Sequence, residues 1–323
     1  MKCNKAFCKF IEIMVIVVKS FQKNISLAPY TTFGIGGLAK YFYKANSKED
    51  LMWAVKRAAI NGLPFFILGG GSNLLISDEG FDGLVIKNQA CRYYFPQEGI
   101  ITAESGVGLK NIILKTADIG LSGLEWAMGI PGTLGGAIYG NCGAFGFCMS
   151  ELVIRVSAFN PISLEEKIYF TTDCDFKYRD SFFKNNKNII LEADLKLIKN
   201  NAGDCKKKIK EYLKLRSNVP VYASAGSVFK NFKINDLDSK IKKMIPKDKI
   251  KNKMVPAGYL IDECGLKGEK IGGAQISKDH ANFIINTGKT KAQDVLKLIS
   301  LCKKKVKDKF GVELKEEIQF LGF

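Results

Sequence analysis

The chain has 323 residues, of which 46% are hydrophobic and 25% charged, so it can form two or three compact units and is neither disordered nor fibrous. Its formal net charge is +17, but the lysine runs lie within predicted helices without interleaved aromatic residues. Zinc-finger, helix-turn-helix and RNP-type motifs are absent from the sequence, so we expect a solvated basic surface and no nucleic-acid partner.

The cysteines and the N-terminal segment bear on location. Nine scattered cysteines, without a C-x-x-C pair or zinc-site companions, predict reduced thiols in a cytoplasmic protein without a metal. An apolar run at residues 10–18 is short for a membrane span, contains Glu12 and precedes no small-residue cleavage site, so we expect neither a membrane anchor nor a signal peptide. We expect residues 1–24 to be an extension and translation to start at Met14, where a first strand would begin.

The predicted elements of the first half alternate between strands and helices. A capping box at residues 47–50 opens a helix that stops at residues 61–62. Apolar runs at residues 65–68 and 84–86 predict strands, and residues 109–119 predict a helix that ends at Gly120.

Three glycine-rich segments differ in what they indicate. Residues 34–39 match GxGxxA, but a strand-like segment rather than a helix follows, so we reject a Rossmann site. Residues 69–73, Gly-Gly-Gly-Ser-Asn, follow a predicted strand and suit a diphosphate, with a plain tight turn as the alternative. Residues 129–146 hold few side chains that could fill a core and suit a backbone that wraps closely around a ligand.

The second half begins with strand-like segments at residues 152–159 and 189–198. A lysine-rich helix follows at about residues 202–216, and Pro220 marks a domain boundary. A capping box at residues 290–293 opens a last helix that ends at Gly311. A terminal strand then runs to Phe323, and its alternation places Glu316 and Glu317 on opposite faces.

Two short motifs carry polar groups that could do chemistry. Arg179, within Tyr-Arg-Asp-Ser, could bind a carboxylate or phosphate, although a surface ion pair is the more common role of such a pair. Ser227, in a glycine-flanked apolar stretch, could donate a proton. A hydrolase triad would depend on His280, the single histidine, and GxSxG is absent, so we expect a structural role for His280 more readily than a catalytic one.

The order of the motifs along the chain is more specific than any one of them. It resembles the UDP-N-acetylenolpyruvoylglucosamine reductase (MurB) family from about residue 25 to the end. The matching segments are residues 32–37, 68–75, 123–125, 129–146, 178–181, 225–231, 257–261, 265–268, 277–283 and 316–322.

The resemblance implies an α+β fold. It consists of an FAD-binding, vanillyl-alcohol-oxidase-like (PCMH-type) fold in two subdomains, followed by a C-terminal α+β substrate-binding domain. We expect FAD-binding subdomains at residues 25–88 and 89–200 and a substrate-binding domain at 201–310. Residues 311–323 then form a strand that carries a catalytic glutamate.

The resemblance also implies a reaction. FAD takes a hydride from NADPH and reduces the enolpyruvyl ether of UDP-N-acetylglucosamine to UDP-N-acetylmuramate, a peptidoglycan precursor. Arg179 is implied to stabilise negative charge at the substrate carboxylate, with Glu317 helping to orient or polarise, and Ser227 is implied to protonate the neighbouring carbon. We expect a monomer.

The resemblance assigns further residues to ligands. The implied substrate contacts are Tyr178, Lys230, Asn231 and His280. The implied FAD contacts are Gly69, Gly70, Gly71, Ser72, Asn73, Gly129, Pro131, Gly132, Thr133, Gly135, Gly136, Ala137, Asn141, Gly143 and Ala144.

Two features qualify the resemblance. Phe232 stands where the family usually has proline, and the segment between Arg179 and Ser227 is short, as in the family type that lacks an extra substrate loop. An oxygen-using flavin oxidase of the same fold, or a basic nucleic-acid-binding protein, remains an alternative function.

Overall fold

The structure is a computed structural model that describes residues 20–217, 219–220, 222–250 and 252–323. The expectations about residues 1–19, including a start and a first strand at Met14, lie outside the described residues. Within the described ranges, no helix is long and apolar enough to cross a membrane.

The first part of the chain forms a four-stranded sheet with the order β1-β2-β5-β3, in which β2, β5 and β3 are parallel. Its helix packs against β2 and β5. Its elements are β1 (Gln22–Ser26), β2 (Leu38–Ala45), α1 (Lys48–Ile60), β3 (Phe65–Leu68), β4 (Leu74–Ile76) and β5 (Phe81–Asn88).

Local sequence signals explain this part well. The Ser47 side chain accepts a hydrogen bond from the Asp50 N–H and caps α1, and Asn61 follows as the C-cap, which confirms the predicted helix. The predicted strands at residues 65–68 and 84–86 are confirmed as β3 and part of β5. A strand follows the GxGxxA match, so the rejection of a Rossmann site is also confirmed.

The second part is built on a five-stranded antiparallel sheet with the order β12-β11-β13-β7-β6. The predicted helix at residues 109–119 and the lysine-rich helix are confirmed as α2 and α4, which pack together. The elements are β6 (Tyr93–Gln97), β7 (Ile100–Glu104), α2 (Leu109–Asp118), β8 (Leu121–Ser122), α3 (Leu134–Tyr139), β9 (Gly143–Ala144), β10 (Phe147–Cys148), β11 (Val153–Asn160), β12 (Glu165–Phe170), β13 (Ile189–Lys196), β14 (Ile198–Lys199) and α4 (Ala202–Leu215).

The glycine-rich segment at residues 129–146 is not all irregular backbone. It contains α3, whose Leu134 and Ile138 are fully buried in the core of the second part. The expectation that this segment adds little to a core is therefore wrong. The two apolar residues are four apart, the helical spacing that places them on one face.

The third part packs a long helix, α7, on a four-stranded antiparallel sheet with the order β15-β20-β19-β18. Its core also includes Phe33, Ile35 and Leu75 from the first part, so the two parts share a core. The elements are β15 (Ser224–Ser227), β16 (Phe232–Lys233), α5 (Ser239–Met244), β17 (Met254–Val255), α6 (Ala257–Glu263), β18 (Lys270–Ile271), β19 (Ala274–Ile276), β20 (Phe283–Asn286), α7 (Ala292–Phe310) and β21 (Gln319–Leu321).

The start of α7 differs from the prediction. Thr290 is not its cap, because the helix begins at Ala292 and the Thr290 hydroxyl donates to the Gly273 carbonyl. The carboxylate of Asp78, in the first part, accepts hydrogen bonds from the Ala292 and Gln293 N–H groups instead. A side chain more than 200 positions away thus satisfies the first turn.

The C-terminal strand is shorter than predicted. Only Gln319–Leu321 forms a strand, which pairs in parallel with β4 of the first part. Glu316 and Glu317 precede it. The chain end therefore returns from the third part to the first and carries these two carboxylates between them.

Candidate active site

A cavity of about 1250 Å³ lies where the three parts of the fold meet. Its walls come from β3 and the glycine loop after it, the segment at residues 129–143, the region from Arg179 to Ile190, and residues around Ser227 and Glu317. Small-molecule sites usually enclose about 300–1,000 Å³. This cavity therefore has room for a dinucleotide and a second ligand.

The glycine loop and the segment around Gly132 approach each other so closely that side chains would not fit. A Cβ on Gly70 would lie 2.6 Å from the Gly132 Cα, and one on Gly69 would lie 2.8 Å from the Thr133 Oγ1. The Ser72 hydroxyl donates to the Pro131 carbonyl at 3.1 Å and joins the two segments. The result is a backbone-lined cradle, which suits an anionic group such as a diphosphate.

Most of the predicted site residues line this one cavity. They are Gly69, Gly70, Gly71, Ser72, Asn73, Gly129, Pro131, Gly132, Thr133, Gly135, Gly136, Ala137, Gly143, Arg179, Ser227 and Glu317.

Asn141 and Ala144, two predicted FAD contacts, do not line the cavity. The Asn141 amide donates to the Lys177 carbonyl at 3.0 Å, and its oxygen accepts from the Ser150 N–H. Ala144 pairs with Phe147 in the β9–β10 hairpin. Asn141 therefore does not face the cavity but holds the segment that carries Arg179.

Arg179 and Glu317 form a partly buried ion pair in the cavity wall. The Arg179 Nε lies 2.8 Å from the Glu317 Oε1, and the two side chains are 23% and 18% exposed. The Arg179 Nη2 also donates to the Gly143 carbonyl at 2.8 Å. Arg179 has φ of 54°, the left-handed region, and the Lys184 ammonium binds its carbonyl oxygen at 2.7 Å. The surrounding contacts thus hold this guanidinium in one position.

Backbone hydrogen bonds fix Glu317 from both sides. Its N–H donates to the Val228 carbonyl at 2.7 Å, and its carbonyl accepts from the Asn73 amide at 3.1 Å. Glu316 points elsewhere and binds the Lys303 ammonium at 2.8 Å. The two adjacent carboxylates therefore face different surroundings, although both precede the strand and strand alternation does not account for this.

The electrostatics of the pair reflect burial opposed by charge. Burial raises the pKa of Glu317, and the positive charge of Arg179 opposes that rise. Burial works most strongly against the charge of Arg179, but attraction to Glu317, together with Tyr178, Cys142 and the hydrogen bond to Glu317, raises the pKa of Arg179 above its ordinary value. Burial, followed by repulsion from Lys230, lowers the pKa of Lys184. The site thus gathers more positive than negative charge.

Ser227 lies at the end of β15, next to Gly226, which has φ of +76°. Its hydroxyl has no hydrogen-bond partner within the described ranges and lines the cavity. Asn282, which is 3% exposed, holds the following residues. Its amide accepts from the Phe229 N–H at 3.0 Å and donates to the Phe229 carbonyl at 2.9 Å. The Ser227 hydroxyl is therefore accessible on a fixed backbone.

The four predicted substrate contacts lie outside the cavity lining. The Asn231 N–H donates to the Tyr178 hydroxyl at 3.4 Å, and the Asn231 oxygen accepts from the Ala257 N–H at 3.0 Å. The Lys230 N–H donates to the Lys315 carbonyl. His280 is behind the Ser227 loop, where its Nδ1 accepts from the Asn282 N–H at 3.2 Å.

Lys184, Arg216 and Asn282 belong to this region, although sequence reasoning assigned them no role. Lys184 and Arg216 line the cavity. Arg216 directly follows a lysine-rich helix, so its sequence context resembles a solvated surface. Asn282 lies in one of the motifs that carry the family resemblance, which was a usable signal. In the part of the chain that the structure describes, no cluster of three or more His, Cys, Asp or Glu could hold a metal ion.

Comparisons with known proteins agree with this arrangement. The family model for the UDP-N-acetylenolpyruvoylglucosamine reductase C-terminal domain matches residues 218–321, and the FAD binding domain model matches residues 39–161. These two matches cover the glycine loops and the segments that carry Ser227 and Glu317.

Whole-chain relatives carry the same name. The UDP-N-acetylenolpyruvoylglucosamine reductase of Solibacter usitatus is 36% identical over 92% of this chain and 95% of its own length. That of Carboxydothermus hydrogenoformans is 39% identical over 93% of each. The crystal structure of the reductase from Thermus caldophilus is 31% identical, with a TM-score of 0.75 over 94% of this chain and all of that one. At this identity and coverage, the chain belongs to the UDP-N-acetylenolpyruvoylglucosamine reductase family.

Proposed function

We propose that this protein uses FAD and NADPH to reduce UDP-N-acetylglucosamine enolpyruvate to UDP-N-acetylmuramate, a step of peptidoglycan precursor synthesis. One observation carries the proposal: a fixed Arg179–Glu317 pair and the unpartnered Ser227 hydroxyl line one cavity with a backbone-lined cradle. Family membership supports the identity of the substrate.

The cavity fits FAD by its own geometry. The approach of Gly70 to Gly132 leaves room only for backbone, so N–H groups of both segments can reach a diphosphate. FAD bound there would accept a hydride from NADPH and supply it to the vinyl carbon of the substrate. The protein binds the cofactor, orients the substrate and handles charge and proton.

Arg179 stabilises the charge that develops. Hydride addition to the vinyl carbon leaves an electron pair on the neighbouring carbon, which is conjugated with the substrate carboxylate. A fixed guanidinium beside that carboxylate lowers the barrier, because preorganised charge needs no rearrangement during the reaction. Glu317 keeps the guanidinium in position through the 2.8 Å contact.

Ser227 completes the addition. Its hydroxyl proton moves to the carbon that bears the electron pair, so hydride and proton together saturate the double bond. A serine hydroxyl is a weak acid, and only a strongly basic carbon can take its proton. The lack of a protein partner leaves that hydroxyl available to the substrate.

We infer finer points from the same evidence. Tyr178, Lys230, Asn231 and His280 serve the substrate from the edge of the cavity or from behind it. FAD binding is assigned to subdomains at residues 25–88 and 89–200 and substrate binding to a domain at residues 201–310, although α4 (Ala202–Leu215) packs on α2 of the second part. The protein works as a cytoplasmic monomer without a nucleic-acid or membrane partner, and its positive charge favours anionic nucleotides.

Product analysis tests the proposal. The protein is incubated with NADPH and the enolpyruvyl nucleotide sugar, and the sugar is examined by mass spectrometry. A gain of two hydrogen atoms, with one NADPH oxidised per sugar, supports the reductase. Oxidation of NADPH that consumes oxygen and leaves the sugar unchanged contradicts it.

A further inference from the structure

Arg216 is a second arginine in the cavity that the proposed reaction does not use. It follows the last residue of α4 and lines the same cavity as Arg179, Ser227 and Glu317. No carboxylate in the described part of the chain forms an ion pair with it. Its Nε is buried and has no hydrogen-bond partner.

The position of this guanidinium is fixed by packing rather than by a counter-charge. Its central carbon lies 5.6 Å from the centroid of the Phe145 ring. A Cβ on Gly129 would lie only 3.1 Å from the Arg216 Cδ, so the side chain also packs against the Gly129 backbone. An aromatic face and a bare backbone thus hold the planar group in place.

The local electrostatics are unfavourable for Arg216. Burial, and then repulsion from Arg179, lowers the pKa of Arg216. Glu317 is the one carboxylate among the described cavity-lining residues, and Arg179 already engages it. A buried charge without a partner destabilises a protein. A ligand that brings negative charge would relieve the imbalance.

We propose that Arg216 stabilises the negative charge of the reduced flavin and so raises the reduction potential of bound FAD. The Arg179 guanidinium donates to the Gly143 carbonyl and the Arg216 guanidinium packs on the Phe145 ring, two residues further along the chain, so both lie at the same end of the cavity. Arg179 is committed to Glu317 and to the Gly143 carbonyl.

The change of charge on reduction singles out the flavin. The substrate carboxylate carries the same charge whether the flavin is oxidised or reduced. The flavin ring is neutral when oxidised and gains negative charge when it takes up a hydride. A nearby cation therefore shifts the potential of the ring, a tuning that proteins commonly exert. This inference rests on the proposed use of FAD.

The test is the midpoint potential of FAD-loaded protein, measured by equilibration with a reference dye. In Arg216→Gln, we expect the preference for reduced over oxidised flavin to fall at least tenfold, which is about 30 mV for a two-electron couple. In Arg216→Lys, which retains the charge, we expect the midpoint potential to keep most of its wild-type value. Arg57→Gln removes the same charge from an exposed helix position and should leave the potential unchanged.

An unchanged potential in Arg216→Gln would overturn the inference. If that variant also binds the enolpyruvyl sugar more weakly, Arg216 is a substrate contact instead. If the glutamine variant does not retain FAD, the lysine variant and Phe145→Leu decide: the former must keep most of the wild-type potential and the latter must lower it. The midpoint potential is measured without the enolpyruvyl sugar. The result therefore distinguishes a failure of this inference from a failure of the proposed reaction.

Discussion

The side-chain amide of Asn282 binds both the N–H and the carbonyl of Phe229, at 3.0 and 2.9 Å, across 53 positions of sequence. The Asn282 carbonyl also accepts from the Val228 N–H at 2.8 Å. These bonds replace a strand ladder at the point where β15 ends, and Ser227 lies immediately before them. One buried amide thus sets the position of the proposed proton donor.

Asn282→Ala should loosen this loop. Two buried backbone groups of Phe229 would lose their partners, which should lower the free energy of unfolding by about 2–4 kcal/mol. Turnover should fall further than FAD affinity, since the glycine cradle is elsewhere. Urea unfolding and steady-state kinetics measure both effects. Asn185→Ala, at an exposed amide, is the control, and equal effects of the two substitutions would refute the role of Asn282.

Ser227→Ala should separate the two halves of the reaction. NADPH should still bleach the flavin at the wild-type rate, because no proton from Ser227 is needed there. Reoxidation by the sugar should slow by about 10²–10⁴-fold, the usual contribution of a general acid. Stopped-flow absorbance resolves the two steps. Ser163→Ala removes an exposed hydroxyl outside the cavity lining as a control. Wild-type reoxidation in Ser227→Ala would exclude Ser227 as the donor.

Arg179→Lys should not preserve activity, although it preserves charge. Lysine lacks the fork that reaches Glu317 and the Gly143 carbonyl together. We expect turnover to fall by roughly 10²–10³-fold, as when one preorganised charge-stabilising donor is lost. The FAD content of the purified variant should be normal. Near wild-type turnover would show that the geometry of the pair is unimportant.

Gly70→Ala should abolish FAD binding without a wider loss of structure. The added Cβ would lie 2.6 Å from the Gly132 Cα, so the two cradle segments would have to separate. Fluorescence quenching on addition of FAD measures the affinity. Gly108→Ala is a matched control, because its Cβ would meet no heavy atom closer than 3.6 Å. Normal FAD binding by Gly70→Ala would contradict the proposed cradle.

The single histidine predicts a pH dependence of stability. Burial lowers the pKa of His280 below its ordinary value of 6.5, and its Nδ1 accepts from the Asn282 N–H. The unfolded chain therefore takes up this proton at a higher pH than the folded one. The stability contribution is complete above 6.5 and is lost as the pH falls below it.

His280→Asn offers an oxygen to the same N–H and does not titrate in this range. Its unfolding free energy, measured in urea between neutral and mildly acidic pH, should decline less steeply than that of the wild type. The same slope in both proteins would mean that His280 does not titrate between the two states.

The elements that depend on neighbouring residues were predictable from the sequence. Ser47 caps α1 through a bond to Asp50, three positions away, and such local geometry is independent of the rest of the fold. Thr290 carries a similar signal, but Asp78 from another part of the chain takes its place. A contact with a distant carboxylate of this kind cannot be predicted from the local sequence.

The site shows the same division. Glycine-rich loops indicate that backbone segments approach each other closely, so the sequence predicted the cradle. The order of the motifs pointed to Arg179, Ser227 and Glu317. Arg216 and Lys184 could not be foreseen, because their importance comes from burial in a cavity that three parts of the chain form together. Asn141 belongs to a recognisable motif, but only the fold reveals that its amide faces Lys177 and not the cavity.

The most direct test of the central claim is the visible spectrum of the purified protein during two anaerobic additions. The account predicts a yellow protein that NADPH bleaches and that regains its colour when the enolpyruvyl nucleotide sugar is added. A bleached protein that ignores the sugar and recovers only in air would contradict the reductase while keeping the flavin site. A colourless protein that cannot take up FAD would contradict the account as a whole.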